Sequence, residues 1–264
     1  MIGIGNNILM RSNSTPLPLG NWVSNTEIIS GLIDVGYFSH ETTFYIGTDL
    51  YLISGITSGT YKGYLWNGTS WIANTSIING IFNVGTRFKP TTFYIGTDLY
   101  LITGTSNGIF YGFRRSGTTW INESGIVSGL GDIGSDSDPT TFYIGTDLYL
   151  ITGTSNEIFY GFKWNGSSWV ANSDIVNGLS AIGNQISPSS FYIGTDLYLI
   201  IGRAYGIFLG RKWTGVTWIE DTLVVAGLID IGNWATPCVF YIGTDLYLIS
   251  GEYNGLFFGF KKGY

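Results

Sequence analysis

One phrase, Phe-Tyr-Ile-Gly-Thr-Asp-Leu-Tyr-Leu-Ile, begins at Phe44 and returns nearly unchanged at Phe93, Phe142, Phe191 and Phe240, at 49-residue intervals. Five such units account for 245 of the 264 residues, so nearly the whole chain is one array. The unit spanning 140–188 contains four strand-like runs: Thr141–Ile144, Asp147–Thr152, Ile158–Trp164 and Ser168–Ile175. Gly145-Thr146 and Asn165-Gly166 punctuate them as tight turns. Both faces of these runs are apolar, as in sheets covered on both sides. Four short antiparallel strands in a repeat of this length predict a blade of a β-propeller. A β-solenoid is the rival architecture, but its coils are usually shorter than this unit. The predicted fold is all-β: a five-bladed β-propeller with four antiparallel strands per blade.

The two ends predict how the ring closes. The last copy stops at Tyr264, after its third strand. A match to the missing fourth strand lies at 21–36, where Trp22 precedes Trp71 by one full period. This segment is expected to complete the last blade and clasp the circle, making 1–264 a single domain. Repeats then begin near 42, 91, 140, 189 and 238. Residues 1–20 remain as an N-terminal extension, either an extra strand or the relic of another copy.

Charge and composition exclude some classes. The net charge is −6 and the pI about 4.6, and Lys and Arg form no basic patch, so no nucleic-acid partner is expected. No apolar run approaches the length of a membrane span, so no membrane insertion is expected. With one cysteine, Cys238, no internal disulfide and no cysteine metal cage can form. The N-terminus as written has no signal-peptide pattern; the compartment is left open, extracellular if the chain is a mature form. Sequons at Asn13, Asn67, Asn74, Asn122 and Asn165 allow glycosylation where that machinery is met.

The run Pro90-Thr91-Thr92-Phe93-Tyr94-Ile95, followed by Asp98-Leu99-Tyr100-Leu101-Ile102 and Gly108-Ile109-Phe110-Tyr111, resembles the FG-GAP and VCBS-like propeller repeats. Their Asp-rich calcium loop is cut here to Gly-Thr before each Asp, and one carboxylate per loop is too few for calcium. The resemblance therefore implies the fold without a metal, and no cofactor is expected. The order Ile182-Gly183, Phe191, Leu197-Tyr198, Phe208, Trp218 resembles the five-bladed tachylectin-type lectins. That resemblance implies a multivalent sugar-binding protein with equivalent sites between blades.

Two invariant columns are candidate ligand-binding rings. Trp22, Trp71, Trp120, Trp169 and Trp218 could stack on sugar faces and donate an indole N–H, or could form core between blades. Asp49, Asp98, Asp147, Asp196 and Asp245 could present five carboxylates on one face, or could bond backbone N–H groups in Asx-type turns. A third column, Trp66, Trp164 and Trp213 with Arg115 and Lys262, reads as a half-exposed outer surface. The blade-to-blade links diverge most, at Arg87-Phe88-Lys89, Asp136-Ser137-Asp138, Gln185-Ile186-Ser187 and Asn233-Trp234-Ala235. Their divergence favours a protein partner, or ligand contacts made by the invariant parts. His40, the sole histidine, shares a column with Lys89, Asp138, Ser187 and Thr236 and reads as a solvated link residue. No repeated acid pair stands at glycosidase-like spacing.

Copies two and three agree at about 32 of 49 positions, more than packing demands, so the array was amplified recently or idealised by design. The expected function is non-enzymatic: a monomeric, multivalent, lectin-like propeller that binds glycans at sites repeated around the ring. The alternative is a structural or protein-interaction scaffold with no small ligand.

Overall fold

The computed structural model describes residues 19–33, 36–57, 59–179 and 183–263. Most of the N-terminal extension expected from the sequence lies outside the described residues. Each blade is a four-stranded antiparallel sheet. Blade one comprises His40–Ile46, Asp49–Gly55, Tyr61–Trp66 and Trp71–Ala73. Blade two comprises Lys89–Ile95, Asp98–Gly104, Phe110–Ser116 and Thr119–Asn122. Blade three comprises Asp138–Ile144, Asp147–Gly153, Phe159–Trp164 and Trp169–Ala171. Blade four comprises Ser187–Ile193, Asp196–Gly202, Phe208–Trp213 and Trp218–Glu220. Blade five comprises Thr236–Ile242, Asp245–Gly251, Phe257–Lys262 and, from the other end of the chain, Trp22–Ser24. Trp22 pairs with Lys262 and Ser24 with Phe260, so the N-terminal strand completes the last blade as the repeat predicts.

The innermost strands begin about three residues before the β-rich run seen in the sequence. Asp138, Pro139 and Thr140 pair with Gly153, Thr152 and Ile151, so a neighbouring strand extends what local propensity does not. A proline is tolerated there because the innermost strand is an edge whose outward N–H has no ladder partner. The outermost strand is conversely shorter than expected. Trp169–Ala171 gives way to a turn of 3-10 helix at Asp174–Val176. Its buried Ile175 lies over Gly161 of the third strand. A Cβ at Gly161 would stand 2.4 Å from Ile175 Cγ2, so only glycine leaves room for the turn to dock.

Blades are joined by two repeated devices. At the rim, each invariant Trp of the fourth strand is about 2% exposed. Each indole N–H donates to a carbonyl in the preceding blade's 3-10 turn: Trp71 to Ile28, Trp120 to Ile77, Trp169 to Ile126, Trp218 to Ile175 and Trp22 to Val224, all at 2.7 Å. Near the axis, each tyrosine of the innermost strand donates its hydroxyl to the backbone carbonyl of the equivalent tyrosine one blade back. Tyr94 bonds Tyr45 at 2.6 Å, Tyr143 bonds Tyr94 at 2.5 Å, Tyr192 bonds Tyr143, and Tyr241 bonds Tyr192 at 2.7 Å. Tyr45 closes the circle onto Tyr241 at 2.8 Å. Edge carbonyls that would otherwise face an open channel are thereby satisfied. Burial raises the pKa values of Tyr45, Tyr94, Tyr143 and Tyr192, the last to about 12, so these four donors keep their protons across the physiological range.

Removing one Trp should open a cavity between two blades. Trp120→Ala should lower stability by about 3–5 kcal/mol. Trp169→Phe, which keeps most of the ring but deletes the N–H to Ile126, should lose about 1–3 kcal/mol because a buried carbonyl is orphaned. Urea denaturation followed by circular dichroism measures both.

Candidate functional site

The sequence columns sort themselves by their place on the ring. The invariant Trp column is buried packing between blades. The invariant Asp column sits at the turn between first and second strands, on the face away from the links. Asp147, Asp196 and Asp245 each accept a 2.7 Å ion pair from Lys163, Lys212 and Lys261 of the third strand. Those lysines lie over the rings of Tyr149, Tyr198 and Tyr247. Asp49 and Asp98 are exposed. In the outer hairpin column, Trp66, Trp164 and Trp213 lean on the invariant Trp next to them at 5.3–5.4 Å. Lys262 in that column is 1% exposed rather than half-exposed. Its ammonium bonds the carbonyls of Leu223 and Val224, and burial pulls its pKa down to about 8.

The diverse columns converge on the axis, at the end where the links enter the innermost strands. Two tiers of five side chains form this mouth. The outer tier is Phe38, Arg87, Asp136, Gln185 and Trp234, one from each blade. All five have positive φ, between 56° and 62°. Non-glycine residues pay of order 1 kcal/mol for that conformation. Elsewhere the same fold solves the same backbone problem with glycine: in the loop column of Gly59, Gly108, Gly206 and Gly255, only Glu157 departs. Five side chains kept where glycine would be easier mark a tier whose side chains matter.

Four of these side chains touch one another, and Gln185 lines the same narrow space. The Phe38 and Trp234 rings meet edge to face, 4.0 Å between centroids. Tyr253 packs on both. The Arg87 guanidinium lies 4.3 Å from the Phe38 centroid and 5.0 Å from that of Trp234. Its Nη1 reaches both oxygens of Asp136, at 3.0 and 3.1 Å.

The inner tier is His40, Lys89, Asp138, Ser187 and Thr236, all about 5% exposed. His40 is therefore not a solvated link residue: its Nδ1 stands 3.4 Å from Asp138 Oδ2. Sequence reading missed this because the histidine's partner lies two blades away. Lys89 Nζ stands 3.6 Å from the same oxygen and donates to the Asp136 carbonyl at 3.3 Å. Asp138 Oδ2 is buried, with His40 and Lys89 close to it but outside ideal hydrogen-bond geometry.

Beneath this tier lies a chamber of about 60 Å³, lined in part by His40, Glu41, Asp138, Ser187, Thr236 and Cys238. Glu41 occupies a column that is otherwise Pro90, Pro139, Pro188 and Pro237, a single departure that the sequence does display. Its carboxyl accepts from Ser54 Oγ at 3.1 Å and from the Gly251 N–H at 3.3 Å, across the seam where the ring closes.

Burial sets the charge states. It lifts the Glu41 pKa from 4.5 to about 7, only partly offset by the donors around it. Burial also pushes Asp138 upward, but Lys89 and His40 outweigh it and hold the carboxyl below the ordinary range. Burial lowers His40 despite the neighbouring Asp138, so the imidazole is neutral at neutral pH. At neutral pH one chamber thus holds a carboxyl near the midpoint of its titration and an ionised carboxylate, on blades one and three. The absence of a repeated acid pair, read from the sequence as an argument against catalysis, does not bear on a pair that occurs once.

No family model matches the chain, and no curated protein sequence matches it. Solved structures do match its fold. An exo-1,5-α-L-arabinanase from a bovine ruminal metagenomic library aligns with a TM-score of 0.60 and 10% identity, over 87% of this chain and 94% of its own. An α-L-arabinofuranosidase from Podospora anserina, solved with cellotriose, aligns at 0.59 with 12% identity, over 95% and 99%. The SapL1 lectin with α-methyl fucoside aligns at 0.53 with 13% identity, over 89% and 83%. At these identities the likeness shows the fold, a five-bladed β-propeller. The expectations of a non-enzymatic lectin and of no enzyme activity are overturned by this comparison, because the matched structures are mostly glycoside hydrolases. Among the described residues, no helix is long and apolar enough to cross a membrane.

The Glu41 carboxyl binds its proton more tightly in the folded chain than in the unfolded one. Its contribution to stability is therefore full below pH 4.5 and is lost as pH rises through about 7. The loss should approach roughly 3 kcal/mol by pH 8. Glu41→Gln should accordingly melt higher than the parent at pH 8, with the gap closing by pH 4.5, in calorimetric scans across that range.

Proposed function

We propose that this propeller cleaves glycosidic bonds at its axis, with Glu41 as general acid and Asp138 as the ionised carboxylate. The observation that carries the reading is the opposite displacement of these two carboxyls around one chamber. Environments that push two acids apart assign their roles: the raised one keeps its proton to give, the lowered one stays charged. Glycoside hydrolysis uses such a pair, flanking the scissile bond. The similarity in fold to arabinanases, arabinofuranosidases and xylosidases supports the substrate class, pentose-containing glycans.

In this reading Glu41 gives its proton to the leaving glycosidic oxygen as the bond to the anomeric carbon breaks. Water attacks that carbon, and its proton passes to Asp138 while its oxygen stays on the released sugar. Lys89 holds Asp138 ionised. His40, neutral beside Asp138, fixes the orientation of the carboxylate. The aromatic faces of Phe38 and Trp234 supply stacking surface for a sugar ring. The repeated Trp and Asp columns then serve the ring itself and bind no ligand.

The test is sugar release from arabinan, arabinoxylan and aryl α-L-arabinofuranosides and β-D-xylosides, over a pH series. The expected profile is bell-shaped, with its alkaline limb near pH 7 set by Glu41 and its acid limb set by Asp138. Glu41→Gln and Asp138→Asn should each lower kcat by about 10²- to 10⁴-fold. The loss in Glu41→Gln should be smallest for aryl glycosides with acidic leaving groups, which need little protonation. Folded protein that releases no sugar from any of these substrates would sink the proposal.

A further inference from the structure

Space along the axis is uneven. The chamber holds about 60 Å³, whereas only about 10 Å³ remains open between the outer and inner tiers. One of the side chains lining the narrow part spans it. Arg87 belongs to blade two, yet its guanidinium rests on Phe38 of blade one and Trp234 of blade five and is anchored to Asp136 of blade three. A side chain that touches three other blades of a five-bladed ring lies across the mouth. At the far end of the innermost strands, the relay of tyrosine hydroxyls runs around the axis. Arg87 therefore bounds the chamber on the side of the links.

We infer that Arg87 is the access and specificity residue of the axial site. Its guanidinium occupies the aromatic faces that an incoming ring must take, and a ligand enters by displacing it. The displaced position defines the ligand chemistry. Phe38 and Trp234 present flat apolar faces, and Asp136, Gln185 and the displaced guanidinium offer planar hydrogen-bonding groups at their edge. That combination suits an uncharged ring with an apolar face and vicinal hydroxyls at its rim. Arg87 and Lys89 are matched by Asp136 and Asp138, so these four groups offer no net charge to recruit an ionic ligand. The arrangement restricts the ligand to a terminal ring arriving end-on, because the tier closes around the axis from all five blades. The ligand class rests on the reading of the site as glycan-cleaving; the gate itself is independent of it.

The chain carries its own probe of access. Cys238 is the only cysteine and lines the chamber. Burial pushes its thiol up to about 12, so the thiolate is scarce at pH 8, and it is the ratio of methyl methanethiosulfonate labelling rates between variants at that one pH, read by intact mass, that reports passage of a small reagent along the axis. The parent should label slowly. Arg87→Ala should label at least about tenfold faster, since removing the gate raises the population of open mouths. Arg87→Lys, which keeps a charge but loses the planar stacking, should fall between them. Because a destabilised chain also labels through unfolding, Ile126→Val, a buried change remote from the axis, serves as the comparison, with urea denaturation reporting both stabilities. Labelling of Arg87→Ala at the parental rate, or no faster than its lower stability explains on the scale set by Ile126→Val, would overturn the inference. No turnover is needed, so a gate without sugar release and sugar release without a gate are separate outcomes: the first leaves the gate standing, the second removes it.

Discussion

Ring closure is the constraint on which the other features depend. Five sheets must meet around an axis, and the first and last must join as well as any internal pair. The tyrosine relay shows that they do: the bond from Tyr45 back to Tyr241 is 2.8 Å, against 2.5–2.7 Å for the internal joins measured. The Trp22 indole meets Val224 at the same 2.7 Å as its four counterparts. Closure through hydrogen bonds at both the axis and the rim fixes each blade at two radii, which resists both sliding and tilting. At the rim the accepting carbonyls are buried, and where the indole is the sole side-chain donor, as for Ile28, Ile126 and Ile175, its loss is felt locally as an orphaned acceptor.

A closed ring of equal units creates one place where all copies approach each other, and only there can five different side chains act on one ligand. Equivalence everywhere else follows from packing: Phe44, Trp71, Gly63 and their counterparts face the same neighbours in each copy. The axis escapes that logic because its residues face one another rather than a neighbouring blade. Here the sequence departs from repetition, in the two tiers at the mouth and in Glu41 against four prolines. The chemical consequence is a chamber of mixed charge states built from groups that occur once each.

The architecture was legible because it depends on period. The 49-residue interval, the turns and the missing fourth strand at Tyr264 lead directly to five blades and to the closing strand at Trp22. Boundaries were less so, since the first three residues of each innermost strand are set by pairing with the second strand. The site was legible only in part. The variable positions Arg87, Asp136 and Trp234 stand out, and His40 shares its column with Lys89 and Asp138. What a linear reading lacks is the radius: nothing in the string says that one column of a link points outward and the next inward. His40 meets Asp138 across 98 positions, a distance that no local pattern encodes. The acid pair was missed because it was sought within a copy, whereas its members lie in different copies. Glu41 is the signal that was available, an ionisable residue interrupting a column of prolines.

The five outer-tier residues share one backbone conformation, φ between 56° and 62°, while differing in every side chain. Scaffold and recognition are thereby decoupled at these positions. An exchange of whole 49-residue units would permute the order of side chains around the mouth and leave the main chain where it is. Such a ring behaves as a combination lock with five dials, in which duplication and shuffling of units generate new axial sites without a new fold having to be found.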